Sequence, residues 1–242
     1  MRVLSYNVHS GVGGDGRRSL GRVAEVIAQS APDVVALQEL DQGRARSAGV
    51  HQAEELAELL AMEFHFHPAF EVEEECFGDA VLSRYPMRLM QAGALPSVKG
   101  GFFVERRGAL WVEIDVGGMK WQILNTHLGL GWRERRVQAR VLLGERWVGA
   151  VGMGTPLVLC GDFNSCPGGG VHGMLKGVLR EVVPFGGRNT FPAGFPMLSL
   201  DHVFVGADVD VIEAAVWETC LARVASDHLP VLAVLRWGLD EG

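Results

Sequence analysis

The feature that most limits how this chain folds is a short apolar run, recurring along its length, that ends abruptly in polar side chains. It occurs in Val3-Leu4-Ser5-Tyr6-Asn7, Val34-Val35-Ala36-Leu37-Gln38-Glu39, Trp121-Gln122-Ile123-Leu124-Asn125-Thr126-His127 and Leu157-Val158-Leu159-Cys160-Gly161-Asp162. Runs of this length and composition read as buried strands whose ends deliver polar groups to a sheet rim. The order reverses in Asp201-His202-Val203-Phe204-Val205 and in Asp227-His228-Leu229-Pro230-Val231-Leu232-Ala233-Val234. If those later strands run antiparallel to their neighbours, both kinds of end meet on one rim.

Helical periodicity fills the gaps. Leu20, Val23, Ala24 and Ile27 follow Ser19, Leu56, Leu59 and Leu60 mark the segment 51–61, and Val171, Met174, Leu175, Val178, Leu179 and Val182 recur at three- and four-residue spacing. The segment 134–149 is read as a fourth helix. A strand pair, 109–116 with 119–127, is joined at Gly117-Gly118. Helices alternating with strands and hairpins predict an α/β fold on sheets with antiparallel parts, and a pure Rossmann sheet fits poorly. No repeat, low-complexity stretch or polar linker divides the chain, so 1–242 reads as a single domain.

Composition narrows the function. With 242 residues, 48% hydrophobic and 21% charged, the chain can bury a large core without disulfide staples. The net charge of −7 opposes non-specific binding to nucleic acid, where each phosphate contact needs a cation, although a local basic patch stays open. Cys76, Cys160, Cys166 and Cys220 have no metal-type spacing and are expected as reduced thiols. Met1 to Asn7 enters a strand pattern directly, with no apolar signal core, and no run is long enough to span a membrane, which predicts a cytoplasmic protein.

The most specific segment is Gly161-Asp162-Phe163-Asn164. A carboxylate and a carboxamide two positions apart can share one pocket, one positioning a water and the other donating to an oxyanion. Alone it would read as an Asx turn closing a strand. Ser226-Asp227-His228 sets an imidazole beside a carboxylate, which favours the charged ring, and Leu200-Asp201-His202 offers a second acid, so either Asp227 or Asp201 is able to orient His228. Glu39 ends an otherwise apolar strand, and a carboxylate buried there needs an arginine or a metal ion. Mg2+ suits that setting, since it takes one or two carboxylates, keeps waters and borrows phosphate oxygens. Asn7 and His127 are weak signals singly and gain value from the ensemble.

In order and spacing, Ser5-Tyr6-Asn7, Leu37-Gln38-Glu39, Asn125-Thr126-His127, Gly161-Asp162-Phe163-Asn164, Leu200-Asp201-His202 and Ser226-Asp227-His228 resemble the motifs of the endonuclease/exonuclease/phosphatase superfamily. That superfamily includes pancreatic deoxyribonuclease, abasic-site endonucleases, inositol polyphosphate phosphatases and neutral sphingomyelinases. The resemblance runs from Tyr6 to Pro230 and implies a four-layer α/β sandwich, two packed mixed sheets flanked by helices, with the site at one rim. It implies Glu39 and Asn7 as ligands of Mg2+, with Mn2+ as a substitute, and Asp227 as a second metal contact. It further implies Asp162 as activator of the attacking water, Asn164 as its holder, and His127 and His228 as grips on the phosphoryl oxygens, with Asp201 orienting His228. Asn7 is implied on the substrate side as well.

One segment departs from the family pattern. In Gly78-Asp79-Ala80-Val81-Leu82-Ser83-Arg84 the family's Asn position holds Asp79, a carboxylate that repels phosphate unless a metal or an arginine compensates. Arg106 and Arg107, with Arg133, Arg135, Arg136 and Arg140, offer a basic rim for phosphate-bearing substrates, although a solvated face accounts equally well for the helical group. Gly100-Gly101-Phe102-Phe103-Val104 reads as a buried strand in preference to an aromatic loop in peripheral contact with lipid or bases. The acidic cluster Glu71, Glu73, Glu74 and Glu75 would repel polyanions near a cleft. His65-Phe66-His67 fits strand alternation better than zinc binding.

The expectation is therefore a Mg2+-dependent hydrolase of a phosphate ester, small or lipid-linked. Nuclease action on DNA is the runner-up, and a catalytically silent module binding a phosphorylated ligand or protein is a third reading. Neither the oligomeric state nor the choice between monoester and diester is legible.

Overall fold

The structure is a computed structural model that describes residues 1–72, 75–98 and 105–238. In chain order the elements are β1 (Arg2–Asn7), α1 (Leu20–Ser30), β2 (Val34–Gln42), α2 (Gln52–Leu60), β3 (Glu63–Val72), β4 (Glu75–Ser83), β5 (Met87–Ala94), β6 (Gly108–Val116), β7 (Met119–His127) and α3 (Trp132–Leu142). They continue with β8 (Leu157–Asp162), α4 (Gly170–Lys176), β9 (Arg180–Val182), β10 (Asp201–Val205), β11 (Val209–Val216), α5 (Ala222–Ala225) and β12 (Val231–Trp237). The segment Gly100–Val104, and Glu73 and Glu74 of the acidic cluster, lie outside the described residues.

The strands form two six-stranded sheets, ordered β11-β12-β1-β2-β4-β3 and β5-β6-β7-β8-β10-β9. Both are mixed. β1 is parallel to β2 and antiparallel to β12, while β8 is parallel to β7 and antiparallel to β10. The strands that end in polar residues and those that begin with them therefore share one rim, and Asp201 pairs directly with Asp162 across the β8–β10 ladder.

Three apolar layers hold the sandwich. Val3, Val34, Ala36 and Val81 of one sheet pack on Leu110, Ile123, Val158 and Val203 of the other. α1 and α2 cover the outer face of the first sheet, with Val23, Ile27, Leu56 and Leu60 buried against Leu4, Tyr6 and Leu37. α3 and α4 cover the second, where Ala139, Leu142, Val171 and Leu175 meet Leu124, Leu159 and Phe204. This is the expected four-layer sandwich, and central strands such as β1, β2 and β8 read as apolar runs because they are covered on both faces. No helix among the described residues is long and apolar enough to cross a membrane.

Local signals explain the element boundaries. Ser19 caps α1 by accepting from the Arg22 amide at 3.3 Å. The β6–β7 hairpin turns through Gly117 and Gly118, with φ of 64° and 91°, as a two-residue turn of positive φ requires. Two expected helices are shorter than their periodicity suggests. The 171–182 pattern splits: α4 stops at Lys176 before Gly177, Val178 is 58% exposed, and Val182 belongs to β9, paired with Val203. The apolar residues beyond Gly177 serve a sheet edge instead of a helical stripe. Likewise α3 begins at Trp132 and ends at Leu142, after which the chain turns at Gly144. His65 and His67 lie on β3, as strand alternation requires. All four cysteines are free.

Candidate active site

The site is assembled at the shared rim from strand ends. Asn7 closes β1, Glu39 sits within β2, His127 closes β7, Asp162 closes β8 and Asp201 opens β10, with His228 just ahead of β12. Two local devices bring them together. At Gly161 a side chain is excluded: φ is 144°, and a Cβ would fall 1.8 Å from the Thr126 carbonyl oxygen, so β7 and β8 close up where their polar ends emerge. At Glu39 the register with β4 shifts between Leu37 and Leu40, and Glu39 itself takes a φ of 63°. A left-handed non-glycine residue in a strand is strained, and such strain collects where a side chain has to be aimed.

Asp162 is the hub. Its Oδ1 accepts from the Asn164 amide at 2.8 Å, and its Oδ2 accepts from Asn7 Nδ2 at 3.0 Å. The same Oδ2 lies 3.5 Å from His127 Nε2 and 3.7 Å from His228 Nε2. Asn7 Nδ2 also donates to Glu39 Oε1 at 3.1 Å, so one amide links the two carboxylates. Burial first, then the charge of Asp201, pushes the Asp162 carboxyl up to about 7, against the pull of His228 and two hydrogen bonds.

His228 is oriented by Asp201, not by Asp227: Nδ1 lies 2.7 Å from Asp201 Oδ2, and the ring packs against Phe191 at 4.9 Å between centroids. Burial opposes its charge, but Asp201, Asp162 and Asp227 together lift the imidazole to about 10. Asp227 is more exposed and faces His9, whose Nδ1 is 3.7 Å away.

His127 has the opposite character. Burial, then the charges of Arg107 and His228, holds its pKa well below the ordinary histidine value, so the ring is neutral. Arg107 Nη1 lies 3.1 Å from Nδ1, and a guanidinium only donates, which places the ring proton on Nε2. Asn164 Nδ2, which donates to the Leu128 carbonyl at 2.9 Å, also lies 3.0 Å from that Nε2. Two donors thus converge beside Asp162, an arrangement completed by an added oxygen acceptor.

Glu39 meets the test for a metal ligand. Burial raises its carboxyl pKa, Asp227 adds to the rise, and Asn7 and Arg107 oppose it. Among the described residues only His127 Nδ1 comes within ion-pair distance, at 3.9 Å, and that ring is neutral. The arginine pairing that would account for a lone strand-end acid belongs instead to Asp41, held by Arg46 at 2.6 and 2.8 Å. The Glu39 carboxylate suits a hard divalent cation, while Asn7 turns its Nδ2 toward Glu39 and its Oδ1 accepts from the His9 amide at 3.1 Å. Glu39 also floors a cavity of about 440 Å³ lined by His9, Arg18, Arg44, Arg46, Phe77 and Arg106.

Asp79 is buried in β4, and burial pushes its carboxyl up to about 7. The nearby Arg107 charge and the Glu39 amide favour ionisation and offset the burial only in part. Arg107 is 3% exposed and pairs with Glu105 at 2.7 Å, while Arg106 faces the cavity. Of the helical arginines, Arg133 stacks over Trp132 and Arg135 bonds to the Gly129 and Leu130 carbonyls, so that group is mostly a solvated face.

Sequence reasoning missed the supports. Thr190 Oγ1 donates to Asp201 Oδ2 at 2.5 Å, and Ser226 Oγ donates to the Asn7 carbonyl at 2.8 Å. Behind the site Gln38 Nε2 donates to Asn125 Oδ1 at 2.8 Å, and Asn125 Nδ2 donates to the Leu37 and Ala80 carbonyls, pinning the two sheets together at the rim. For Gln38 and Asn125 the one available signal was an amide near the end of an apolar run.

Known proteins share this architecture. Over 257 aligned residues the chain is 31% identical to the uncharacterized protein YbhP of Escherichia coli K12, covering 97% of this chain and 96% of that one. An endonuclease/exonuclease/phosphatase from Beutenbergia cavernae superposes with a TM-score of 0.78 at 27% identity, covering 98% of this chain and 71% of that one. The Bacteroides thetaiotaomicron mannosyl-6-phosphatase Bt3783 superposes with a TM-score of 0.75 at 21% identity, covering 98% and 100% of the two chains. The sequence pattern of the Endonuclease/Exonuclease/phosphatase family matches residues 4–228, and with the two mixed sheets and the shared rim this establishes that the chain belongs to that family.

Proposed function

We propose that this protein is a Mg2+-dependent phosphoric ester hydrolase acting on a small or lipid-linked phosphate ester by in-line attack of water. The observation that carries this reading is the convergence on Asp162 Oδ2 of Asn7 Nδ2 at 3.0 Å, His127 Nε2 at 3.5 Å and His228 Nε2 at 3.7 Å. A binding module has no need for a poised carboxylate among these donors.

In this reading Asp162 accepts the proton of the attacking water, and its elevated pKa makes it a better base than an ordinary carboxylate. Asn164 Nδ2 and the neutral His127 Nε2–H donate to a phosphoryl oxygen, supplying the acceptor their convergence calls for. His228, cationic over a wide pH range, places positive charge on a second phosphoryl oxygen, while Asp201 fixes its tautomer and direction. Glu39 and Asn7 hold the divalent ion, with Asp227 as a further contact. When bound, Mg2+ neutralises phosphate charge and stabilises the departing alkoxide. Arg107, which holds the His127 tautomer, and Asp79 beside it lie at the substrate end.

The acidic net charge and the arginine-lined cavity beside Glu39 favour a compact anionic substrate over a polynucleotide. The mannosyl-6-phosphatase among the structural neighbours is compatible with a small phosphomonoester. The test is hydrolysis over sugar phosphates, inositol phosphates, phospholipids, nitrophenyl diesters and single-stranded or abasic DNA. Each is run with Mg2+ and with chelator, on wild type and Asp162→Asn. Chelator-sensitive, Asp162-dependent turnover of one small-ester class is expected. Turnover of DNA alone would replace the substrate assignment, and silence of a folded, Mg2+-binding protein on every class would count against catalysis.

A further inference from the structure

A second group of metal-ligating side chains lies apart from the rim site and takes no part in the chemistry above. It joins His172 of α4, Glu181 of β9 and His202 of β10. His172 Nε2 lies 2.8 Å and His202 Nδ1 lies 3.3 Å from Glu181 Oε1, and the three donor atoms all fall within 4.8 Å of one another. Bonds of about 2.0–2.1 Å to a tetrahedral Zn2+ place neighbouring ligand atoms roughly 3.3 Å apart, so the two separations from Glu181 need adjustments of no more than a few tenths of an ångström. The three side chains are 7%, 5% and 4% exposed, His172 and His202 flanking Glu181 in that order of position.

Contacts around the cluster turn its ligand atoms toward one another. His202 Nε2 lies 2.9 Å from the Ser165 carbonyl and 3.1 Å from the Ser199 carbonyl. A carbonyl only accepts, so Nε2 carries the proton, and in the neutral ring the Nδ1 lone pair faces Glu181. An outer nitrogen anchored to backbone carbonyls is the usual support of a metal-bound imidazole. His172 Nε2 is buried and aimed into the cluster, at Glu181 Oε1. Phe163, Val171, Leu175 and Phe204 line the side of the cluster formed by His172 and His202, which strengthens charge interactions there. The nearest competing cation is Arg188, whose Nη1 is 3.8 Å from Glu181 Oε1 and whose side chain is 40% exposed, free to turn to solvent.

We infer that His172, Glu181 and His202 bind a zinc-type divalent transition metal, with water completing the coordination. Two nitrogen donors and one carboxylate favour such an ion over Mg2+, which prefers an all-oxygen shell. The site is structural. It ties α4, β9 and β10 together, and through His202 it grips Ser165, directly after the loop that presents Asp162 and Asn164. It stands or falls independently of the proposed catalysis.

The experiment measures bound metal and thermal stability on chelator-stripped, dialysed protein titrated with Zn2+, in wild type and in Glu39→Gln, His172→Ala and Glu181→Gln. Expected is one Zn2+ per chain in wild type and in Glu39→Gln, with a rise in Tm, and at least a tenfold weaker affinity with no rise in both other variants. Co2+ in place of Zn2+ should give tetrahedral visible absorption in the same two proteins. Glu181→Gln keeps the side-chain shape and serves if His172→Ala does not fold. The proposal is overturned if wild type takes up no Zn2+, as a proton-held His–Glu–His cluster would behave. It is equally overturned if uptake disappears with Glu39→Gln, which locates the ion at the rim, or persists in every variant, which points to the Asp162, Asp201 and His228 group or to the exposed Cys166 and Cys220.

Discussion

His228 stands between two carboxylates that face each other across the β8–β10 ladder: its Nδ1 is 2.7 Å from Asp201 Oδ2 and its Nε2 is 3.7 Å from Asp162 Oδ2. One ring is thereby held cationic from behind while its front nitrogen points at the group proposed to activate water. Separating the environments of neighbouring titratable groups is how a site runs acid and base roles together.

Removing the rear carboxylate should release that charge. Asp201→Asn is expected to lower kcat by about 10²-fold at pH 8, within the range such groups supply, and by less at pH 6, where a freed imidazole is still substantially protonated. The same linkage affects stability. A histidine raised from 6.5 to about 10 on folding contributes stability that is complete below 6.5 and is lost as pH rises through 10. The Tm deficit of Asp201→Asn should therefore be largest near pH 6 and shrink toward pH 10. Parallel pH profiles for the two proteins, in both rate and Tm, would assign Asp201 no role in charging His228.

Asp162→Asn tests the hub directly. The amide oxygen can still accept from the Asn164 backbone, so the fold should persist, with unchanged circular dichroism, while turnover falls at least ~10²-fold. Wild-type rates from the folded variant would remove Asp162 from the mechanism.

The contrast between this site and the rest of the fold shows what a single sequence discloses. Asn7, His127, Asp162, Asp201 and His228 were legible because each sets a polar side chain at the end of an apolar run, and the antiparallel pairing of β8 with β10 and of β1 with β12 brings those ends to one rim. The supports were not legible. Thr190 lies 11 positions from Asp201 in a segment without periodicity, and only the tertiary fold brings its hydroxyl to the carboxylate. The 171–182 stretch carries apolar residues at spacings that satisfy both a helix and an edge strand, and Gly177 decided between them. His172, Glu181 and His202 sit on three different elements, so their spacing resembled no metal motif. The strain at Glu39 depends on a register shift that no side-chain pattern encodes.

Glu39 should separate metal dependence from folding. Glu39→Gln keeps the side-chain shape and the left-handed backbone but removes the charge that suits a hard cation. The Mg2+ concentration giving half-maximal activity should rise at least ~10-fold, read by Mg2+ titration at saturating substrate, while Tm in chelator holds or increases because a buried carboxylate has been neutralised. An unchanged Mg2+ dependence would place the ion elsewhere.

Asp79 offers the sharpest stability test, since it is a carboxyl buried within β4. Burial lifts the folded group from 3.8 to about 7, only partly offset by Arg107. A group raised on folding contributes stability below its unfolded pKa and forfeits it as pH climbs, so here the loss begins above pH 3.8 and is complete above about 7. At 1.36 kcal/mol per pH unit the loss is at most about 4 kcal/mol, and relaxation around Arg107 will reduce it. Asp79→Asn is therefore expected to be more stable than wild type at pH 8 and indistinguishable from it at pH 4. With roughly 2–4 °C per kcal/mol for a domain of this size, a gain of several degrees should appear in melts run with chelator. A variant less stable than wild type at pH 8 would mean that Asp79 is ionised in the folded protein, held as the working counter-charge of Arg107.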